Sequence, residues 1–221
     1  MYRERAAVVP HVIAWQSVTP PGGRVQRILP DGCLDVIWND GRLFVAGPDT
    51  TAQVGVPPAG SRCLALRFAA GSGPSVIGVP ADELTDRQVP LTELWPAAEV
   101  RRLADVTSLA ELERAVLRRW APPDPAMVEV ARRARAGQPV DAIAAVCGLS
   151  ARHLQRRVRA AFGYGPKTLT KILRMQRAVV LARRGTPFAE VSATAGYADQ
   201  AHLARDVKAL AGVPLGRLLS G

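Results

Sequence analysis

Two stretches of the C-terminal half superimpose when the sequence is shifted by 48 residues, and this repeat limits the fold more than any other feature. Gly137, Pro139 and Val140 meet Gly185, Pro187 and Phe188; Ile143 meets Val191, and Gly148 meets Gly196. One inserted residue later the offset is 49, so that Ser150 meets Asp199, His153 meets His202, Arg156 meets Arg205 and Arg159 meets Lys208. A match at fixed period means one structural unit used twice.

Each unit reads as helix, tight turn, helix. Pro139 and Pro187 stand where a first helix begins, a position that suits a fixed φ and a missing N–H. Gly148 and Gly196 follow the short first helix, and Ser150 and Asp199 are good N-caps for a second. In the first unit Leu154, Val158 and Phe162 recur at helical spacing and form the buried stripe, leaving Arg152, Gln155, Arg156 and Arg159 outward. The second unit buries Leu203, Val207 and Leu210 and turns out Gln200, His202, Arg205 and Lys208. This is the helix-turn-helix layout, and Arg and Gln are the side chains with bidentate geometry for guanine and adenine edges. Between the units, residues 166–184 show apolar residues at helical spacing. A helix of that length is about 28 Å long, enough to place two recognition helices in neighbouring major grooves roughly 34 Å apart.

The charge agrees. Net charge is +10, yet residues 1–122 hold thirteen basic and thirteen acidic residues. The whole excess lies in the remaining 99 residues, sixteen basic against six acidic. A neutral module joined to a basic one points to a polyanion as partner of the second. The joint is Pro122-Pro123-Asp124-Pro125, through which no helix runs, so the expected domains are residues 1–121, a Pro-rich linker at 122–125, and residues 126–221.

The run from Ala195-Gly196-Tyr197-Ala198-Asp199-Gln200-Ala201-His202-Leu203-Ala204-Arg205 to Gly212-Val213-Pro214 resembles the signature of AraC/XylS-type transcriptional regulators. The first unit, with Arg174 in the connecting helix, fits the same pattern. The resemblance covers about residues 126–221 and implies a seven-helix domain with two helix-turn-helix units and no catalysis. It also implies base contacts from Arg152, Gln155 and Arg156, and from Gln200, Ala201 and Arg205. Val158 and Val207 depart from the usual Phe, and Ala201 offers no hydrogen bond, so the first unit is expected to carry most specificity.

The N-terminal half reads as α+β: a small antiparallel sheet or partial barrel, then helices. Residues 25–29 and 33–38 look like strands joined at Asp31-Gly32, a dipeptide that favours two-residue type I′ loops. Residues 42–46, after Asn39-Asp40-Gly41, and residues 63–68 look like two more. Leu103, Val106, Leu109, Leu112 and Val116 suggest one or two amphipathic helices within 97–119, whose stripe serves a two-fold contact or the chain's own core equally well. The segment Pro30-Asp31-Gly32-Cys33-Leu34-Asp35-Val36, with Ala46-Gly47-Pro48 and residues 78–84, resembles an uncharacterised domain found before AraC-type DNA-binding domains. That resemblance implies a sensor or dimerisation role.

Chemistry is sparse here. His11 is the only histidine in this half, which speaks against a metal site of the His-x-His kind. Cys33, Cys63 and Cys147 lack C-x-x-C spacing. Cys33 and Cys63 are small buried apolar residues or redox-sensitive thiols. Trp15, Trp38 and Cys33 are candidates for lining an effector pocket, with ordinary core roles as the alternative. No catalytic set and no cofactor is expected. No uncharged apolar run approaches the ~18–20 residues of a membrane span, and the start of the chain leads into no apolar segment of the signal type, so a cytoplasmic location is expected.

The expected function is therefore a sequence-specific transcription regulator that binds double-stranded promoter DNA and answers to a small-molecule effector. RNA polymerase and a second copy of the chain are further partners this reading admits. The alternatives are a ligand-independent DNA-binding protein whose N-terminal half only dimerises, and an enzyme or small-molecule carrier with an accessory DNA-binding domain.

Overall fold

In the computed structural model, which describes residues 1–23, 25–103 and 105–220, the N-terminal half is built on one antiparallel sheet. Its six strands are β1 (Tyr2–Ala6), β2 (Val12–Val18), β4 (Leu34–Asn39), β5 (Arg42–Ala46), β7 (Arg62–Phe68) and β8 (Gln88–Pro90), in the order β1-β2-β7-β4-β5-β8. Two short strands, β3 (Gln26–Ile28) and β6 (Gln53–Gly55), form a separate ribbon. Val36, Leu66 and Ala14 lie side by side across three strands and are fully buried. Against that face pack α1 (Pro74–Ile77), α2 (Ala97–Arg101) and α3 (Leu109–Arg119), whose Leu112, Ala115 and Val116 join the same core.

The expected hairpin at Asp31-Gly32 does not form. β3 pairs with β6, and β4 pairs with β5 and β7. Asp31 instead makes a local turn, its Oδ1 accepting from the Cys33 amide at 2.9 Å. The two-residue loop sits at Asp40-Gly41, where both residues have positive φ (46° and 87°) and the ladder closes at Asn39 opposite Arg42. The expected helical region 97–119 is two helices; Ala104 within it lies outside the described residues. The second begins with a capping box in which Glu111 accepts from the Ser108 amide. Its apolar stripe is spent on the sheet, which settles the alternative left open by periodicity in favour of the chain's own core.

The helical half consists of α4 (Pro125–Arg135), α5 (Val140–Val146), α6 (Ala151–Phe162), α7 (Pro166–Arg183), α8 (Phe188–Ala195), α9 (Gln200–Ala211) and α10 (Leu215–Leu219). The caps lie where local chemistry requires them: Asp124 Oδ1 accepts from Ala126, Ser150 Oγ from His153, and Asp199 Oδ1 from His202. The central helix α7 carries Leu169, Ile172, Leu173, Met175 and Val179 into the core from several sides.

The two halves are docked directly. Ala70, from the sheet half, is a member of the helical core, and Leu29 packs against it. The Phe162 ring lies under Gly71, where a β-carbon would stand 2.8 Å from Cε1 and Cζ. Thr85 Oγ1 donates to the Gly163 carbonyl at 2.9 Å, and Gln176 Nε2 donates to the Pro30 carbonyl at 2.7 Å. The ribbon reaches the end of α9: the Ala52 amide donates to the Leu210 carbonyl at 2.7 Å, and Arg27 Nη1 to the Ala211 carbonyl at 2.6 Å. The N-terminal half thus grips the C-terminal ends of both α6 and α9.

Candidate nucleic-acid interface

Helix α6 is the second helix of the first unit. Its Arg152, Gln155, Arg156 and Arg159 are spaced i, i+3, i+4 and i+7 and occupy one exposed face, opposite buried Leu154, Val158 and Phe162. Among the described residues, Arg152 and Arg156 have no acidic partner, so their guanidinium forks face solvent. Gln155 lies over the Gly165 backbone, at the rim of a groove of about 630 Å³ between α5, α6 and the start of α7. Arg159 is different. It lies at the C-terminal end of the helix, with Nη2 3.7 Å from Asp82 Oδ2 of the N-terminal half. Arg157, pointing sideways, is paired with Asp124 at the start of α4.

In the second unit the same helical face, shifted by 49 residues, consists of Ala201, Ala204, Arg205 and Lys208, all exposed. Two alanines replace Arg152 and Gln155. Gln200 is exposed at the helix start. The structure corrects the outward placement of His202: its side chain is half-buried, Nδ1 accepts from the Ala198 amide at 3.4 Å, and the ring meets Tyr197 edge-on at 5.2 Å. Its Nε2 lies 3.6 Å from Asp206 Oδ2. The cause is Asp206, a carboxylate that draws in side chains from two helices: Arg174 Nη2 at 2.8 Å, Lys171 Nζ at 3.3 Å, and the His202 ring. Arg174 also stacks over Tyr197 at 4.4 Å from the ring centre. This cluster fixes α9 against α7. Its role was not legible in the sequence, because Lys171 and Arg174 lie some thirty residues from Asp206.

The structure does not bring all three candidates for an effector pocket together: Cys33 lies beside the Asp35 group that holds Trp15, and Trp38 is on the opposite face of the sheet. Trp38 shares the parity of Leu34 and Val36 and packs against the sheet core, whereas Trp15 lies opposite Ala65 on the other face. Trp15 is held there by Asp35, whose Oδ1 accepts its indole N–H at 2.7 Å; Arg67 Nε lies 3.3 Å from the other carboxylate oxygen. Burial pushes the Asp35 carboxyl above its ordinary range, against the pull of Arg67 and the Trp15 hydrogen bond. Cys33 sits beside this group. Burial raises its thiol well above the usual value, with Asp31 and Asp35 adding to the rise, and Cys63 is also shifted upward, mainly by burial. Both shifts oppose thiolate formation, and both side chains are half-buried.

Among the described residues no three His, Cys, Asp or Glu side chains cluster as a metal site. No helix among them is long and apolar enough to cross a membrane.

Two family models match the chain. Residues 143–220 match a helix-turn-helix domain, and residues 6–90 match a domain of unknown function, DUF6597. No curated protein matches. Among solved structures, ToxT from Vibrio cholerae in its P21 crystal form aligns over 99% of this chain and 98% of its own, at 8% identity and a TM-score of 0.52. ToxT bound to (E)-4-(8-methylnaphthalen-1-yl)but-3-enoic acid aligns over the same shares at 8% identity and a TM-score of 0.53. A probable AraC family transcriptional regulator from Rhodopseudomonas palustris CGA009 is 24% identical, covering 44% of this chain and 96% of that one, with a TM-score of 0.38. The two-part fold expected from the sequence, a sheet-bearing half followed by a helical half, is the one this chain shares with ToxT along nearly the whole length of both.

Proposed function

We propose that this chain, an AraC-type DNA-binding regulator by its helix-turn-helix domain and the DUF6597 domain before it, is a one-component transcription factor. In this reading residues 126–221 recognise promoter DNA and residues 1–121 modulate that recognition. The observation that carries it is the exposed Arg152–Gln155–Arg156 face of α6, capped, rigid and free of acidic partners. Arg205, Lys208 and Gln200 of α9 take the second groove, where the two alanines favour phosphate contacts over base reading. Arg159 joins the contact set only by leaving Asp82. His202 supports α9 from behind.

An effector acting through the N-terminal half is the finer part of the proposal. It is supported by the direct docking of the two halves, and ToxT, which shares the fold, has been found with a butenoic acid bound. A second reading has its own support. Because the N-terminal half grips the ends of both α6 and α9, it can set their spacing with no ligand at all.

The test is titration of the full chain against duplex promoter DNA at 50 and 200 mM salt. With ~6–10 phosphates neutralised, affinity falls about 10³–10⁵-fold between the two. A flat salt response, or equal affinity for every sequence at high salt, refutes the DNA reading.

A further inference from the structure

The N-terminal half carries a concentration of arginine that the DNA reading does not use. Between α1, α2 and α3 lies a cleft of about 400 Å³ lined by Ser75, Gly78, Glu99, Arg102, Arg118 and Arg119 together with Val76. Three guanidinium groups face one carboxylate there, in a half whose total charge is balanced. Arg119 is fixed in place: its Nη1 lies 3.2 Å from Glu99 Oε2, its Nε donates to the Val76 carbonyl at 3.5 Å, and its plane sits 4.8 Å over the Trp95 ring. That leaves Nη2 as the outward donor, beside Gly78. Glu99 is thus spent on Arg119. Among the described residues Arg102 and Arg118 have no acidic partner, and both are exposed at the rim.

We propose that this cleft binds a small organic anion bearing carboxylate or phosphate oxygens, held by Arg102 and Arg118 against the rigid Arg119. Guanidinium forks match the planar pair of oxygens that either group presents. The volume suits a compact metabolite. Its position ties it to the DNA-binding half. Ser75 Oγ, on the wall, donates to the Ala121 carbonyl at 3.1 Å, just before Pro122. Four residues back, Gly71 covers the Phe162 ring of α6. In its consequence for DNA this inference rests on the effector reading above; the binding site itself does not.

The experiment is calorimetric titration of the full chain with citrate and, separately, inorganic phosphate, at ionic strength held constant with sodium chloride. The variants are Arg102→Gln, Arg118→Gln, Arg101→Gln and Arg152→Gln. The expected result is saturable one-to-one binding of at least one anion, weakened tenfold or more in Arg102→Gln and in Arg118→Gln and unchanged in Arg101→Gln. The stronger binder tells carboxylate from phosphate. No saturable binding of either anion overturns the site. So does binding that survives both cleft variants, or that Arg152→Gln abolishes, which would place the anion on the DNA-binding face. Promoter DNA is then titrated with and without the bound anion. A change in DNA affinity that disappears in Arg118→Gln supports the coupling. An unchanged affinity, with anion binding intact, refutes the effector role and leaves the site standing.

Discussion

Replacing Gly71 by alanine drives a methyl group into the ring of Phe162, and the cost can be divided into two parts. Gly71 has φ of +86°, a backbone conformation that costs an L-residue roughly 1–2 kcal/mol. Its new β-carbon would stand 2.8 Å from two ring carbons of a side chain that is completely buried, and overpacking of this kind costs about 1–3 kcal/mol. The sum is about 2–5 kcal/mol, or some 5–15 °C in Tm for a chain of this size. Gly41→Ala isolates the first part, since Gly41 has φ of +87° and nothing within 4 Å of its would-be β-carbon. Phe162→Leu in the Gly71→Ala background should recover much of the second part, as a coupling of about 1–3 kcal/mol in a double-mutant cycle. The clash lies at the junction of the halves, so it should also uncouple them. All four tryptophans lie in residues 1–121, whereas the longest helices lie beyond. Tryptophan fluorescence and far-UV circular dichroism should therefore follow one urea transition in the parent chain and two in Gly71→Ala. If Gly71→Ala costs no more than Gly41→Ala and both probes still coincide, the docking of Phe162 under the 69–73 turn does not join the halves energetically.

Arg156→Ala is expected to cost about 1–3 kcal/mol on the preferred site and to relax preference at one base pair, whereas Lys208→Ala weakens all sequences evenly; competition with single-base variants separates the two. Asp49 is held by burial at a pKa of about 6, above its ordinary 3.8. Between those values the folded state keeps a proton that the unfolded chain has lost, so stability falls as pH rises through about 4 to 6 and stays lower above; urea midpoints across pH 4–8 should fall less in Asp49→Asn than in the parent, the remainder belonging to Asp35, whose carboxyl burial also raises. Exchanging Pro122 and Pro123 for Gly and Ser should leave the docking intact, because Thr85, Gln176, Arg27 and Ala52 bond across the junction independently of the linker. A large loss of cooperativity on that exchange would show that linker stiffness, rather than contact, holds the halves.

The repeated unit was legible because everything that defines it is local. A cap such as Ser150 or Asp199 acts within three residues, and the buried stripe of α6 repeats within one helix. The charge division between the halves also needed no coordinates. The sheet was only half legible, for a physical reason visible in two dipeptides. Asp31-Gly32 and Asp40-Gly41 satisfy the same turn rule, and nothing in their neighbourhoods separates them. The choice belongs to Leu34 and Val36, which are buried by pairing with Phe68 and Leu66 thirty or more residues away. The fates of individual site residues followed the same rule. Arg152 and Arg156 remain where helical spacing puts them because nothing distant reaches them. Arg159 and His202, on the same kind of helix, are claimed by Asp82 and Asp206. Helical and turn propensities act over a few residues and can be read in order; ion pairs, strand partners and the grip of one half on the other join residues that only the folded chain makes neighbours.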